Sequence, residues 1–378
     1  MWKSFKDEEE LRDFNNKGFD IKDKYLAFKN KKFECSYKGC NCKAVNSHTI
    51  SKKSSLQYIS ENNELLCFTG KRDKDGNITP KIKEVGLNSA TTFKGFCEVH
   101  EKLFESIDLN GIITQNDLIL QIYRHVAYSN YNCGILKVME DNIFSERRFK
   151  HLKGIYKESS NQVIKRALDE YKDIKFKRNR VLKEYLDKFT EVIENLSYKS
   201  HDLSDEEILE LKELNAIIFF KRINISIPVA MMNEMGFSAN GEIKNWFFSV
   251  IPYENSTDII MVVDNGYKSW ANDLWSQHTK SKIDILNLVE SVMMKSEFWF
   301  IKPSIINNIS DEKKKFLETD IRYINERLFF SDYDVSIFDQ LRKKLIEDVE
   351  QNIKIRELKK IDFIPMREEE YIREQNLT

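Results

Sequence analysis

Cys35, Cys40, Cys42 and His48 lie within fourteen residues, and Cys97-Glu-Val-His100 follows about fifty residues later. Four of the chain's six cysteines and two of its six histidines form these two groups. Thiolate sulfur and imidazole nitrogen are the donors a tetrahedral zinc ion takes, commonly as two close pairs joined by a longer connection. Two choices exist for the first pair. Cys35 with Cys40 leaves enough chain between them for the intervening amides to turn toward the sulfurs, whereas Cys40 with Cys42 is too close for that turn. Cys97 and His100, at i and i+3, share one face of a helix's first turn, where the helix N-terminus also stabilises a thiolate. The expected structural zinc set is therefore Cys35, Cys40, Cys97 and His100, with Cys42 as the alternative. His48 is then the extra histidine that could make the site chemical.

These residues need elements to hold them. A short amphipathic helix is expected over residues 5–18, with Phe5, Leu11 and Phe14 on one side. Leu65–Thr69 and Ile78–Val85, flanking a turn at Gly76, read as a β-hairpin. Residues 98–215 contain no proline and three glycines, and their apolar residues recur at helical spacing, most clearly over 160–198. Ser204-Asp-Glu-Glu207 has the pattern of a capping box opening a short helix. Apolar, β-branched runs at 216–220, 223–230, 244–252 and 257–263 predict three or four antiparallel strands. Helices are expected again at 282–297 and 310–350, with a tight apolar segment, Phe298–Ser304, between them. The expected fold class is α+β and mostly helical. Its parts are a zinc-bound module (1–104), a helical bundle (105–213) and an antiparallel β segment flanked by helices (214–378).

The chain carries 60 Lys+Arg against 61 Asp+Glu, so any basic surface must come from local segregation. Such segregation occurs between Arg147 and Lys183, which includes Arg147, Arg148, Lys150, Lys175, Lys177, Arg178 and Arg180. A stripe of this kind neutralises phosphates and makes nucleic acid, DNA before RNA, the expected partner. Lys52 and Lys53, close after His48, could touch phosphates near the site. No 18-residue apolar stretch is present, which excludes a membrane-spanning helix. The N-terminus lacks the apolar run of a secretory signal, so a cytoplasmic location is expected. Cys67 and Cys133 read as buried core thiols.

The order of knuckle, strand with His48, and helix bearing Cys97 and His100 makes residues 35–104 resemble the HNH (ββα-metal) nucleases in their zinc-stabilised, treble-clef form. The resemblance implies an endonuclease that hydrolyses phosphodiesters with one Mg²⁺ or Mn²⁺ ion. It places His48 of Ser47-His48-Thr-Ile50 at the general base. Asn88, or alternatively Asn46, takes the loop position that orients the base, and Glu101 the place of the helix's metal ligand. Ser47 stands where the family generally has a metal-binding Asp. The stretches around His48 and Cys97 also resemble bacterial proteins of mobile or defence-related loci. That implies an anti-phage effector, with an operon-encoded protein partner as one form. The alternative to an enzyme is a non-catalytic zinc-stabilised module that binds nucleic acid or protein.

Overall fold

The computed structural model of the chain describes residues 33–72, 78–139, 161–196, 200–239, 242–296, 298–323, 332–347 and 349–367. The helix expected over 5–18, the turn at Gly76, and Arg147, Arg148 and Lys150 lie outside the described residues. The fold is α+β, as expected. Ten strands are described: β1 (Asn46–His48), β2 (Glu64–Arg72), β3 (Ile78–Gly86), β4 (Thr92–Lys94), β5 (Glu206–Leu211), β6 (Ala216–Ile223), β7 (Val229–Ala239), β8 (Glu242–Pro252), β9 (Thr257–Asp264) and β10 (Trp299–Ile301). β1 and β4 form a separate two-stranded antiparallel ribbon. The other eight form one antiparallel sheet in the order β3-β2-β10-β7-β8-β9-β6-β5. The β2–β3 hairpin of the N-terminal segment therefore shares a sheet with the strands beyond residue 214. The three-residue β10 is the bridge, pairing with β2 on one side and β7 on the other.

The strands β6 to β9 read as near-continuous apolar runs because both faces of the sheet are covered. Alternate side chains divide between two cores. Ile218, Phe220, Met232, Phe247 and Val262 face one way, into a core shared with two long helices, α3 (Gln115–Met139) and α4 (Asn161–Glu194). Ile217, Phe219, Met231, Phe248 and Val263 face the other way, against α5 (Lys268–His278), α6 (Lys282–Met294) and α8 (Asp311–Tyr323). α3 and α4 pack against each other within the stretch expected to form a helical bundle. Two short helices, α1 (Glu98–Glu101) and α2 (Glu105–Asn110), lead from the ribbon into α3, and α7 (Pro303–Asn307) follows β10. α2 ends at Gly111, whose φ of +77° suits a residue without Cβ. A Cβ there would also lie 2.6 Å from the Tyr253 ring, whose hydroxyl accepts from the Ile112 N–H at 3.2 Å.

Two local expectations are corrected. The stretch after Ser204 is the strand β5, not a short helix. The Ser204 N–H does bond the Glu207 carboxylate at 2.7 Å, as half of a capping box would. However, the free edge of β6 offers six consecutive antiparallel pairings to Glu206–Leu211, and these keep the chain extended. The helix expected over 310–350 is broken into α8 and α9 (Asp339–Leu345). Between them Tyr333, Val335, Ile337 and Phe338 are buried. Three of their amides bond side chains of α6 instead of closing helical turns: Tyr333 bonds the Ser291 hydroxyl, and Ile337 and Phe338 bond the Glu290 carboxylate.

His125 of α3 is a core histidine, as its helical context suggests. It sits edge-on to Phe247, and its Nδ1 is 3.0 Å from the Ser249 hydroxyl, while its buried Nε2 has no hydrogen-bond partner among the described residues. Burial pushes its pKa down to about 3. The native state thus holds the ring neutral while an unfolded chain protonates it near the ordinary value of about 6.5. Stability from this group is complete above that value and falls as pH drops toward the native pKa, by about 2 kcal/mol between pH 7 and pH 5. Urea unfolding at the two pH values should show that loss, and His125→Phe should lose less than the wild type over the same interval.

Candidate metal centre

The metal centre begins with a turn that local hydrogen bonds close. Glu34 and Lys43 form a β-bridge, the Cys35 N–H donates to the Cys42 carbonyl at 2.9 Å, and the Cys40 N–H donates to the Tyr37 carbonyl at 3.1 Å. Gly39 supplies the positive φ, +76°, that this turn requires. The knuckle is tied to the ribbon: the Ser36 N–H donates to the Gly95 carbonyl, and the Val45 N–H to the Phe96 carbonyl. Cys97 then sits at the N-terminal boundary of α1, with His100 one turn later.

This folding brings one donor atom each from Cys35, Cys40, Cys97 and His100 to within 4.8 Å of one another. The His100 Nδ1 lies 3.4 Å from the Cys35 sulfur and 3.3 Å from the Cys97 sulfur, and the Cys40 and Cys97 sulfurs are 3.9 Å apart. A tetrahedral zinc ion with ordinary bond lengths requires edges of about 3.6 Å between nitrogen and sulfur and about 3.8 Å between sulfurs. The donor set and its dimensions fit zinc. Cys42 is exposed and outside the four-donor group, and its carbonyl closes the knuckle by accepting from the Cys35 N–H.

The surroundings suit thiolates and a neutral imidazole. Burial alone raises the Cys97 thiol, but the amides of His100 and Val99, with Cys40 and Cys35, bring it below its ordinary value. Burial pushes the Cys35 thiol up to about 12, so a thiolate there needs a cation beside it. The Cys97 N–H already donates to the Cys35 sulfur at 3.3 Å. Burial lowers the His100 pKa, which keeps Nδ1 available as a donor to metal. The His100 ring stacks on Tyr37 at 3.9 Å between centroids and 5° between planes. Tyr37 donates to Glu194, Lys38 pairs with Glu191, and the Lys38 N–H reaches Thr190. The last turns of α4 are thereby fastened to the knuckle.

His48 ends β1, beside this centre. Its Nδ1 is 3.1 Å from the Ala90 carbonyl and 3.3 Å from the Thr91 hydroxyl. A carbonyl can only accept, so Nδ1 carries the proton and Nε2 is the basic nitrogen. Burial lowers the His48 pKa, the Ala90 carbonyl opposes this, and Arg124 adds to the lowering. A cavity of about 570 Å³ is lined by His48, Lys52, Lys53, Glu101, Lys102 and Asp108, among others. Lys52 and Lys53 are exposed.

Ser47 and Glu101 are joined directly. The Ser47 hydroxyl donates to Glu101 at 2.6 Å and accepts from the Phe96 N–H at 3.0 Å. Gly95 permits this approach, since a Cβ there would lie 2.6 Å from the Phe93 ring and 2.9 Å from the Ser47 oxygen. Burial raises the Glu101 pKa, and Arg124 and Ser47 oppose the rise. Arg124 of α3 is fully buried, binds Asp108 through two bonds of 2.9 and 3.0 Å, lies 3.8 Å from Glu101, and covers the Phe104 ring at 4.2 Å. Arg124 and Asp108 are the site residues that the sequence reading missed. Their signal is a guanidinium placed among Leu118, Ile122, Tyr123, Val126 and Ala127, all buried, where a charge persists only when paired.

The remaining expected residues are less closely gathered. Asn88 is exposed and accepts a hydrogen bond from Lys52, and the His48 ring is oriented by Ala90 and Thr91 rather than by Asn88. Asn46, its alternative, lies on β1 facing a second groove, lined also by Lys43 and Lys94. Lys175, Lys177, Arg178 and Arg180 all lie on α4; Arg180 is exposed and 3.7 Å from Glu184. Cys67 and Cys133 are half-buried. No helix among the described residues is long and apolar enough to cross a membrane. Comparison with protein-family models, with curated proteins and with solved structures finds no match for this chain.

Proposed function

We propose that the protein is a nucleic-acid phosphodiester hydrolase of HNH type. In this reading a zinc-held treble clef, built from the knuckle, the β1–β4 ribbon and α1, presents His48 as general base. What carries the reading is the state of His48. Its tautomer is set by the Ala90 carbonyl, its pKa is lowered, and it lines a cavity that also holds carboxylates and lysines. Lys52 and Lys53 attract the backbone phosphates, and Nε2 of His48 accepts a proton from the attacking water. Glu101 is the residue that would hold a catalytic Mg²⁺ or Mn²⁺. A single carboxylate suits a cation that keeps most of its waters and takes the rest of its ligands from substrate. When bound, such an ion supplies positive charge to the reacting phosphate. The basic residues of α4, whose last turns are fastened to the knuckle through Tyr37 and Lys38, would extend the contact to DNA, and a role against phage rests on the resemblance of the stretches around His48 and Cys97 to proteins of defence-related loci.

One observation favours the alternative, a zinc-stapled binding module without catalysis. Arg124 sits against Asp108 and Glu101, two carboxylates of the cavity that His48 lines, and Ser47 stands where the resemblance expects an acidic ligand. Incubating the zinc-loaded chain with plasmid, single-stranded DNA and RNA in Mg²⁺ or Mn²⁺ separates the two. Hydrolysis products that depend on the added cation support the nuclease. Salt-sensitive binding without any product on all three substrates supports the module.

A further inference from the structure

The last helix among the described residues, α10 (Gln351–Asp362), buries charged side chains and exposes large apolar ones, which an ordinary surface helix does not. Its inner face carries charge: Glu357 and Lys360 are buried against Arg342 of α9 and Asn287 of α6. Arg342 is fully buried and also pairs with the buried Glu290. The exposed side of α10 carries Ile355 and Leu358 among polar residues, and Phe363 and Met366 follow directly after the helix. Of ten large hydrophobic side chains exposed among the described residues, Ile355, Leu358, Phe363 and Met366 fall in this one stretch. A fixed polar network holds the inner face, so the helix cannot turn over to hide them. Ile355, Leu358, Lys359, Asp362 and Phe363 line a single groove of about 590 Å³. A contiguous apolar patch rimmed by charge marks a contact surface.

The charges on the rim indicate what that surface meets. We propose that α10 is an isologous interface on which a second copy of this chain packs its own α10 antiparallel. A two-fold axis repeats every contact, so a self-pairing surface must carry both halves of each contact. Lys359 and Asp362 are one turn apart on the groove, and neither has an ion-pair partner among the described residues. With the axis midway between them, Lys359 of each copy meets Asp362 of the other. Leu358 and Phe363 are equally spaced about the same midpoint and meet in the same way. Ile355 and Met366 flank the contact. The patch is one helix wide, less than the roughly 1,200 Å² that a stable specific interface buries. The dimer is therefore a weak one, dissociating at about 10 μM.

Sedimentation equilibrium of the full chain across ~1–300 μM tests this. The wild type should shift from monomer to dimer over that range. Leu358→Glu, Lys359→Glu and Asp362→Lys should each weaken association at least tenfold, and Lys359→Glu combined with Asp362→Lys should restore it. All three side chains point away from the buried network, and circular dichroism with zinc content confirms that each variant folds. A chain that stays monomeric throughout overturns the proposal, as does a dimer indifferent to Leu358→Glu. So does a double variant no better than either single one. A monomer that instead sediments with anionic lipid vesicles also overturns it and assigns the patch to a membrane surface.

Discussion

Replacing Cys97 with alanine is expected to abolish metal binding and to unfold the module around residues 35–48 and 92–104. Metal analysis of the wild type should give about one zinc per chain, and the variant close to none. Cys97 touches every other part of the centre. Its sulfur is 3.9 Å from that of Cys40 and 3.3 Å from the His100 Nδ1, and its N–H donates to the Cys35 sulfur. Alanine leaves three donors around a gap, and Cys35 then returns to a neutral thiol because burial holds its pKa up. Binding free energy at a structural zinc site is largely folding free energy, on the order of 10 kcal/mol in small zinc-dependent domains. Not all of it is lost here, because Phe93, Phe96 and Phe104 bury the far side of the module in the larger core. A loss of about 5 kcal/mol remains reasonable, on the order of 10 °C in Tm for a chain of this size. Hydrogen exchange should speed up first at the knuckle and the β1–β4 ribbon. Cys42→Ala is the matched control and should keep both metal and Tm, since that thiol lies outside the four-donor group. Full zinc occupancy in Cys97→Ala would remove Cys97 from the ligand set.

The metal donors were readable from sequence because their geometry is local. The i, i+3 spacing of Cys97 and His100 and the short loop from Cys35 to Cys40 each fix a pair, whatever the rest of the chain does. The 56 residues between the pairs carried no such information. The structure accounts for them with a hairpin, β2–β3, that leaves the ribbon and joins the large sheet through β10. The apolar run Leu65–Phe68 before a turn announces a strand but cannot say which sheet receives it. Continuous apolar runs likewise announced β6 to β9 without naming the helices that cover their two faces. Edge pairing decided β5, where Glu-Glu-Ile-Leu-Glu-Leu suits a helix as well as a strand until β6 is beside it. The chemical half of the site depended most on tertiary contact. His48 was visible as a leftover histidine, but its carbonyl partner on Ala90 and the Arg124–Asp108 pair arise from segments 42 and 16 residues apart.

That tertiary arrangement is what His48→Ala examines. On the proposed reading the substitution should lower the cleavage rate at least about 10²-fold, the usual contribution of a positioned base. Zinc content and Tm should barely change, because His48 is not a zinc donor and its one fixed contact is to a loop carbonyl and hydroxyl. His48→Gln sharpens the test: its amide can still donate to the Ala90 carbonyl but cannot take a proton from water. It should be as inactive as alanine, and equal rescue would reduce His48 to a structural role. The wild-type pH profile gives a second, independent readout. Only the neutral ring can act as base, and burial, with Arg124 and Lys52, lowers the His48 pKa, against the opposing influence of Ala90 and Asp108. The rate should therefore climb through a pKa below the ordinary 6.5 and be level by neutral pH. Both His48 variants should lack that acid limb. A profile that rises only above pH 7 would mean that another group supplies the base. A wild type inert on DNA and RNA with either cation would leave His48 as a polar residue lining the groove of a binding module, with Arg124 holding both neighbouring carboxylates.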